Sequence, residues 1–339
     1  VSGELEVDAG ARISTRETSD GGASGIAVRG GGLMTATDAT FDRLFSFGAT
    51  SLLLVEANAR LEADGSTFAW DLLDFQGGSL LDGDDLTNSV FNLTVQAPAG
   101  YVPRINANGN GGFRDLNVLG GNLPAGQSLA LDPLGIDAAS NTAWRYVLVG
   151  DFSVGAGASM TIGAAGRLTI RGQRTLSVSG ELEVEAGARV RTQETSDGGS
   201  SGITVRNGGV MTATDATFDR INSFGENSLL RVESGGRLDG VGNRFAWDSL
   251  MLDSGSNATL HSEVISGVFT IHSGATIDLT GNDFSLLNAS DTITQRGLAA
   301  VGSPTATIDL TVHYLRPHIT GTFKCTARVV RAGRRIFTV

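Results

Sequence analysis

The sequence is poor in the residues that most often build chemical centres. It has one cysteine, Cys325, which excludes an internal disulfide framework and a zinc site made of several cysteines. Aromatic residues make up only 6% of the chain, and 6 of the 339 residues are prolines. Basic residues number 25 against 36 acidic ones, and the resulting net charge of −11 argues against a nucleic-acid partner.

Long hydrophobic runs are also missing. No stretch of about 18 apolar residues occurs, so the sequence predicts no transmembrane helix. Because the chain starts at Val1 and not at methionine, we expect a fragment or a processed chain. A hydrophobic fraction of 40% is too high for a wholly disordered protein. Glycine, with 47 residues, is about twice as frequent as in ordinary proteins.

An internal repeat organises the chain. The heptapeptide VSGELEV begins at Val1 and again at Val178. Without a gap, residues 1–71 align with residues 178–248, and 50 of the 71 aligned positions are identical. This similarity indicates a recent duplication, and duplications of this kind are typical of repetitive architectures.

Within each copy, short segments alternate apolar and polar residues, as at 158–162 and 181–184. Alternation over four to six residues is typical of a strand with one buried side, and the intervening Gly-Ala, Asn-Gly and Asp-Gly pairs favour turns. Because comparable segments return roughly every 20–26 residues, the sequence predicts an all-β parallel β-helix, or solenoid. A β-sandwich or a barrel is the alternative fold for regular short strands.

We expect four regions along the chain. The predicted boundaries place the first β-helix copy at 1–96, less regular coils or a lateral insertion at 97–177, the second copy at 178–285, and a segment of partial α+β character at 286–339.

Residues 1–285 resemble the glycine-rich β-helix repeats of large bacterial surface and secreted proteins. The resemblance rests on the segment 154–162 and on Gly-Ala-x-hydrophobic phrases at 187–190 and 274–277. It implies a secreted or cell-surface solenoid. The partners it implies are cell-surface glycans or neighbouring coils of a longer parent protein.

Three carboxylates lie close together at Asp82, Asp84 and Asp85. Oxygen ligands of this kind suit calcium, so calcium is the one candidate ion, and no other cofactor is expected. The spacing lacks the distal glutamate of a complete calcium loop, and a solvated turn is the favoured interpretation.

Further candidate residues occur in both copies. Asp38, Asp42 and Asp71 recur at the aligned positions of the second copy, and carboxylates on neighbouring coils would suit a polysaccharide-active enzyme. Surface charges with local salt bridges are the favoured interpretation. Trp70 and Trp247 would stack on sugars if they were exposed, but their Phe-Ala-Trp-Asp context favours anchoring in the core.

After about residue 286 glycine becomes rarer and basic residues accumulate. Residues 291–301 are consistent with a short helix, and the segments 306–315, 322–330 and 335–339 with an antiparallel meander. The segments 307–317 and 327–335 resemble the phenylacetate-pathway (PaaI-like) hot-dog-fold acyl-CoA thioesterases.

This second resemblance implies a catalytic carboxylate at Asp291. It also implies contacts from Arg331, Arg334 and Arg335 to the phosphates of coenzyme A. The family's His-Gly-Gly motif and its final strand have no counterpart here, so we expect an incomplete domain with little or no activity. If this segment defined the protein, acyl-CoA would be its substrate and the cytoplasm its location.

Three classes of function therefore remain open. The favoured one is a non-catalytic, structural or adhesive solenoid. The alternatives are an acyl-CoA thioesterase that acts through residues 286–339 and a polysaccharide-active β-helix enzyme.

Overall fold

The computed structural model describes most of the chain up to residue 282 and four short strands beyond it. The described residues are 1–16, 23–45, 50–137, 142–193, 199–221, 227–272, 274–280, 282, 293–295, 310–312, 331–332 and 337–338. Over the described residues between 1 and 280 the chain winds into successive coils, and most strands pair in parallel with a strand of the next coil. The predicted parallel β-helix is confirmed.

The first four coils contain twelve strands. These are β1 Glu4–Val7, β2 Arg12–Arg16, β3 Ser24–Val28, β4 Leu33–Thr37, β5 Thr40–Phe45, β6 Ser51–Val55, β7 Arg60–Asp64, β8 Thr67–Phe68, β9 Leu72–Phe75, β10 Leu86–Thr87, β11 Val90–Phe91 and β12 Thr94–Ala97.

The middle of the chain adds a short 3-10 helix, one short α-helix and ten strands. These are the 3-10 helix Ala99–Tyr101, α1 Val102–Ile105, β13 Asp115–Val118, β14 Gly121–Leu123, β15 Ser128–Leu131, β16 Ile136–Asp137, β17 Thr142–Ala143, β18 Arg145–Leu148, β19 Phe152–Val154, β20 Ser159–Ile162, β21 Arg167–Arg171 and β22 Thr175–Val178. β16 and β17 form an antiparallel pair, β14 and β15 begin new sheets and pair only with the coil after them, and the other strands pair with the coils before and after them.

The second copy supplies thirteen strands. These are β23 Glu181–Val184, β24 Arg189–Gln193, β25 Ser200–Val205, β26 Val210–Thr214, β27 Thr217–Arg220, β28 Asn227–Val232, β29 Arg237–Val241, β30 Arg244–Phe245, β31 Ser249–Leu252, β32 Asn257–His261, β33 Val264–Ile265, β34 Val268–Ile271 and β35 Thr276–Thr280.

The last four strands are short. They are β36 Ile293–Gln295, β37 Leu310–Val312, β38 Arg331–Ala332 and β39 Phe337–Thr338. The prediction of a helix at 291–301 is wrong at residues 293–295, which form β36. This strand pairs in parallel with β34 and antiparallel with β37. The backbone of β36 continues the edge of an existing sheet, and these inter-strand hydrogen bonds outweigh a weak local preference for helix.

Parallel stacking brings identical residue types into contact inside the solenoid. The rings of Phe41, Phe68, Phe91 and Phe113 form a continuous stack with centroids 4.7, 5.3 and 5.3 Å apart. In the second copy Phe218 and Phe245 repeat the first step of this stack at 4.7 Å. A narrow core lined by aligned side chains explains why a few aromatic residues suffice.

The coils approach each other so closely that some positions require glycine. Gly25 and Gly202 have φ values of +152° and +150°, and a Cβ atom at either position would collide with a backbone carbonyl of the next coil, that of Leu52 or Leu229. Because the two glycines are counterparts, the duplication preserved this close contact together with its sequence.

One sheet runs along most of the described solenoid and is called the long sheet below. Its eleven strands are β3, β6, β9, β12, β13, β18, β21, β24, β27, β30 and β33. The first copy contributes β3 to it, whereas the counterpart of β3 in the second copy, β25, belongs to a different sheet. The long sheet instead receives β24, the counterpart of β2. Equivalent strands of the two copies therefore lie on different faces of the solenoid, shifted by one face.

Candidate functional site

Two of the three carboxylates that recur in both copies, Asp42 and Asp71, pair with arginines of a neighbouring coil. Asp71 accepts hydrogen bonds from the backbone N–H and hydroxyl of Ser51, at 2.8 and 2.9 Å, and also from Arg43. Partial burial opposes ionisation of Asp71, but these hydrogen bonds outweigh it and lower its pKa. In the second copy, Asp248 accepts the same two hydrogen bonds from Ser228, at 2.9 and 2.8 Å.

Asp42 and Asp38 differ in role. Asp42 pairs with Arg12 and Ser14 from the coil before it, and the hydrogen bond from Arg12 is the main reason that its pKa is lowered. Asp38 is exposed and lies at a corner of the coil, where its φ is 47°. Its counterpart Asp215 is also exposed and has the same φ. Aspartate tolerates this left-handed conformation better than most residues. The predicted salt bridges form at Asp42 and Asp71, and the structure shows that they join neighbouring coils.

The cluster at Asp82, Asp84 and Asp85 is organised around Arg60. Asp85 is 3% exposed, accepts a hydrogen bond from Arg60 Nε at 3.1 Å, and accepts another from the backbone N–H of Asp82 at 2.7 Å. A carboxylate oxygen of Asp82 lies 3.2 Å from Arg60, while Asp84 is exposed. Over the part of the chain that the structure describes, no group of three or more potential ligands is placed to hold a metal ion. Calcium binding here stays a prediction.

Both candidate tryptophans are core residues, as their sequence context predicted. Trp70 and Trp247 are 2% and 3% exposed, and each packs edge-on against a phenylalanine ring at 5.6 Å. Their indole N–H groups donate to the backbone carbonyls of Asp42 and Asp219, at 2.8 and 2.9 Å. With the rings enclosed, neither face is open to a sugar.

The structure also assembles a basic surface that the sequence analysis missed. Three consecutive strands of the long sheet, β18, β21 and β24, begin with Arg145, Arg167 and Arg189. Arg167 lies directly opposite Arg189, and the pairing of β18 with β21 places Arg145 opposite Arg167 on the other side. These three residues are called the arginine row below. Their equal spacing along the sequence was the available signal, because it matches the length of one coil.

The arginine row is flanked by few carboxylates. Arg145 pairs with Asp115 at 3.0 Å, whereas Asp219 serves both Arg189 and Arg191, each through an Nε–oxygen contact of 2.9 Å. Among the described residues Arg167 forms no ion pair. Partial burial, together with the neighbouring positive charges of Arg189 and Arg191, lowers the pKa of Arg167.

The residues expected to act in thioester chemistry lie at the end of the chain. Asp291, Arg334 and Arg335 are outside the described residues, and for Arg331 only the backbone is described. That backbone belongs to β38, which pairs antiparallel with β39. The pair is antiparallel, as the meander predicted, but β38 lies after the expected strand 322–330, and β37 within the expected strand 306–315 pairs with β36 instead.

Comparisons with known proteins give two findings. A family model described as the thioesterase superfamily matches residues 277–339, less than a fifth of the chain. The match begins within β35, the last described strand of the solenoid. The comparison with curated proteins gives no match.

Among solved structures, the chain is similar to the TibC-catalyzed hyper-glycosylated TibA55-350 fragment. The identity is 16%, and the alignment covers 84% of this chain and 93% of that one. The TM-score is 0.21, too low to support a comparison of the two molecules. No helix among the described residues is long and apolar enough to cross a membrane.

Proposed function

We propose that this chain is a non-catalytic β-solenoid, secreted or at the bacterial cell surface, with a structural and adhesive role. The observation that carries the proposal is a difference between the two copies. β1, β2 and β3 each pair with a strand on one side only and leave an open edge, whereas their counterparts β23, β24 and β25 each pair with strands on both sides.

The difference is visible in the burial of matching side chains. Leu5, Ile13 and Ile26, on β1, β2 and β3, are only partly buried. Their counterparts are nearly inaccessible: Leu182 and Val190 are 1% and 0% exposed, and Ile203 is 0% exposed. Since the local sequences are almost the same, the extra burial comes from the coil that precedes the second copy.

The second copy indicates what fits the open edge. There, β20, β21 and β22 pair with β23, β24 and β25. Val1 accepts a hydrogen bond from the Arg29 N–H at 2.7 Å, just as Val178 at the end of β22 accepts one from Arg206 at 2.8 Å. Val1 therefore makes the same backbone contact as Val178, and a β-helix coil of the type seen at 156–177 suits the open edge.

This surface for stacking coils can be tested with a graft. A second copy of residues 156–177 is placed directly before Val1, which reproduces the junction at Val178. We expect slower hydrogen–deuterium exchange of the backbone amides in β1, β2 and β3, approaching the rates in β23, β24 and β25. We also expect a higher midpoint of thermal unfolding.

The matched control is the same graft with proline at the copies of Met160, Leu168 and Leu176. Proline lacks the N–H group that a strand needs in the ladder, so this graft should leave the exchange of β1–β3 unchanged. If the unmodified graft also leaves exchange unchanged, the first coil is not a stacking surface and the structural role fails.

Thioester hydrolysis is a second candidate, supported by the family match at residues 277–339. The resemblance assigns the catalytic carboxylate to Asp291 and the coenzyme A contacts to Arg331, Arg334 and Arg335. Because the His-Gly-Gly donors are missing from the sequence, we expect no acyl-CoA hydrolysis by the purified chain above that of an Asp291→Ala variant. Turnover that disappears in Asp291→Ala would instead establish the enzyme.

A further inference from the structure

The arginine row is a concentration of positive charge on an acidic protein. Four guanidinium groups, those of Arg145, Arg167, Arg189 and Arg191, lie near two carboxylates, Asp115 and Asp219. The whole chain has a net charge of −11, so this surface is opposite in sign to the molecule as a whole. Like charges directly opposite each other on neighbouring strands are destabilising, and a bound anion would relieve that repulsion.

The first copy shows that the duplicated unit does not need this excess charge. The counterparts of Arg189, Arg191 and Asp219 are Arg12, Ser14 and Asp42. There, one arginine and one serine hydroxyl satisfy the single carboxylate. In the second copy arginine replaces serine, and the preceding strand adds Arg167.

The spacing of the row suits a linear ligand. Neighbouring strands lie about 4.8 Å apart, so the row presents three guanidinium groups at regular intervals along the solenoid axis. Planar guanidinium groups bind carboxylates through paired hydrogen bonds. The side chains of Arg145 and Arg189 are 29% and 36% exposed, so a ligand lying on the sheet can reach them, while their Nε and Nη2 groups donate to Asp115 and Asp219.

We propose that the arginine row binds a linear polysaccharide that bears carboxylate groups, with Arg167 at its centre. Net charge favours this class of ligand over nucleic acid. Duplex DNA carries one charge per about 1.7 Å and is strongly repelled by an acidic protein. A uronate chain, with one carboxylate per sugar, spreads its charge over a greater length. The inference rests on the proposed adhesive role and names its ligand.

The test uses the full chain and a linear oligogalacturonate, measured by isothermal titration calorimetry at low salt. We expect Arg167→Gln to weaken binding about tenfold, since one charge-assisted contact is lost. Arg191→Ser, which recreates the arrangement of the first copy, should weaken binding by a smaller factor. The matched control is Arg12→Gln, at the counterpart of Arg189 on another sheet, with unchanged affinity.

Several outcomes would overturn the proposal. They are the absence of oligogalacturonate binding, equal affinity of wild type and Arg167→Gln, equal binding of the fully methyl-esterified oligosaccharide, or tighter binding of duplex DNA or phosphatidylserine vesicles. Circular dichroism and the unfolding midpoint show whether Arg167→Gln is folded, and Arg191→Ser provides the second variant if it is not. A negative result for oligogalacturonate binding does not change the expected result of the coil-graft experiment. The adhesive ligand and the stacking surface are therefore tested separately.

Discussion

Glu263 accepts hydrogen bonds from the backbone N–H and the side-chain amide of Asn243, at 2.8 and 3.1 Å, inside the solenoid. Both residues are 0% exposed. Asn243 in turn accepts a hydrogen bond from the backbone N–H of Ala216, and Asn282 accepts one from that of Glu263. These polar side chains form a ladder that satisfies the buried backbone groups of one corner, coil by coil.

The buried Glu263 should make stability depend on pH. Burial raises its pKa from 4.5 to about 7, partly offset by the hydrogen bonds from Asn243. The folded state therefore holds this proton more tightly than the unfolded state, so the contribution of Glu263 to stability is greatest below about pH 4.5 and falls as pH rises past 7. We expect a loss of about 3 kcal/mol across this range in wild type compared with Glu263→Gln.

Urea unfolding at pH 5 and pH 8 measures this effect. The matched control is Glu181→Gln, at an exposed strand position, which should follow the pH dependence of wild type. Parallel pH profiles for wild type and Glu263→Gln would show that Glu263 is not the titrating group.

Position 243, which lies one coil before Glu263 in the ladder, should tolerate serine but not alanine. Asn243 accepts from the Ala216 N–H at 2.9 Å and donates to the Ala213 carbonyl at 2.8 Å, and Ser66 makes the matching bonds in the first copy, both at 3.1 Å. Asn243→Ala leaves buried backbone groups unsatisfied and should lower the free energy of unfolding by about 2–3 kcal/mol. Asn243→Ser should lose less. Equal losses in chemical denaturation would contradict this role.

Removal of either buried tryptophan should affect stability strongly. Trp70→Ala and Trp247→Ala each remove a packed ring and a hydrogen bond to a backbone carbonyl, and we expect each to cost about 3–5 kcal/mol. Trp247→Phe keeps most of the packing and should cost about 1 kcal/mol, through the lost hydrogen bond. A tryptophan that stacked on sugars at the surface would instead leave the unfolding midpoint unchanged when replaced by alanine.

Substitutions in the acidic turn beside Arg60 can distinguish a structural role of its carboxylates from calcium binding. Asp85→Ala removes the buried partner of Arg60 and should destabilise the chain by about 2 kcal/mol, while Asp84→Ala at the exposed position should be neutral. If the predicted calcium site forms, calcium should raise the unfolding midpoint of wild type, and Asp84→Ala should abolish that increase. A calcium titration by differential scanning calorimetry measures both effects.

The sequence alone was sufficient for the kind of fold and for several local details. Alternating residues gave the strands, because a side chain every two residues faces the core, and glycine pairs gave the turns. The burial of Trp70 and Trp247 followed from the same patterns. Salt bridges were expected at Asp42 and Asp71, but the structure was needed to show that they join neighbouring coils. The strand at Ile293–Gln295 could not be predicted from these patterns, because its hydrogen bonds come from β34 and β37, which are distant in sequence.

Only the tertiary structure decided which strands lie side by side. Period-two alternation says which side of a strand faces inward but not which face of the solenoid the strand joins. The coils between the two copies shift the second copy by one face, so that β24 stacks after β18 and β21. That stacking creates the row of Arg145, Arg167 and Arg189, because side chains in register on neighbouring strands meet even when a whole coil of sequence separates them.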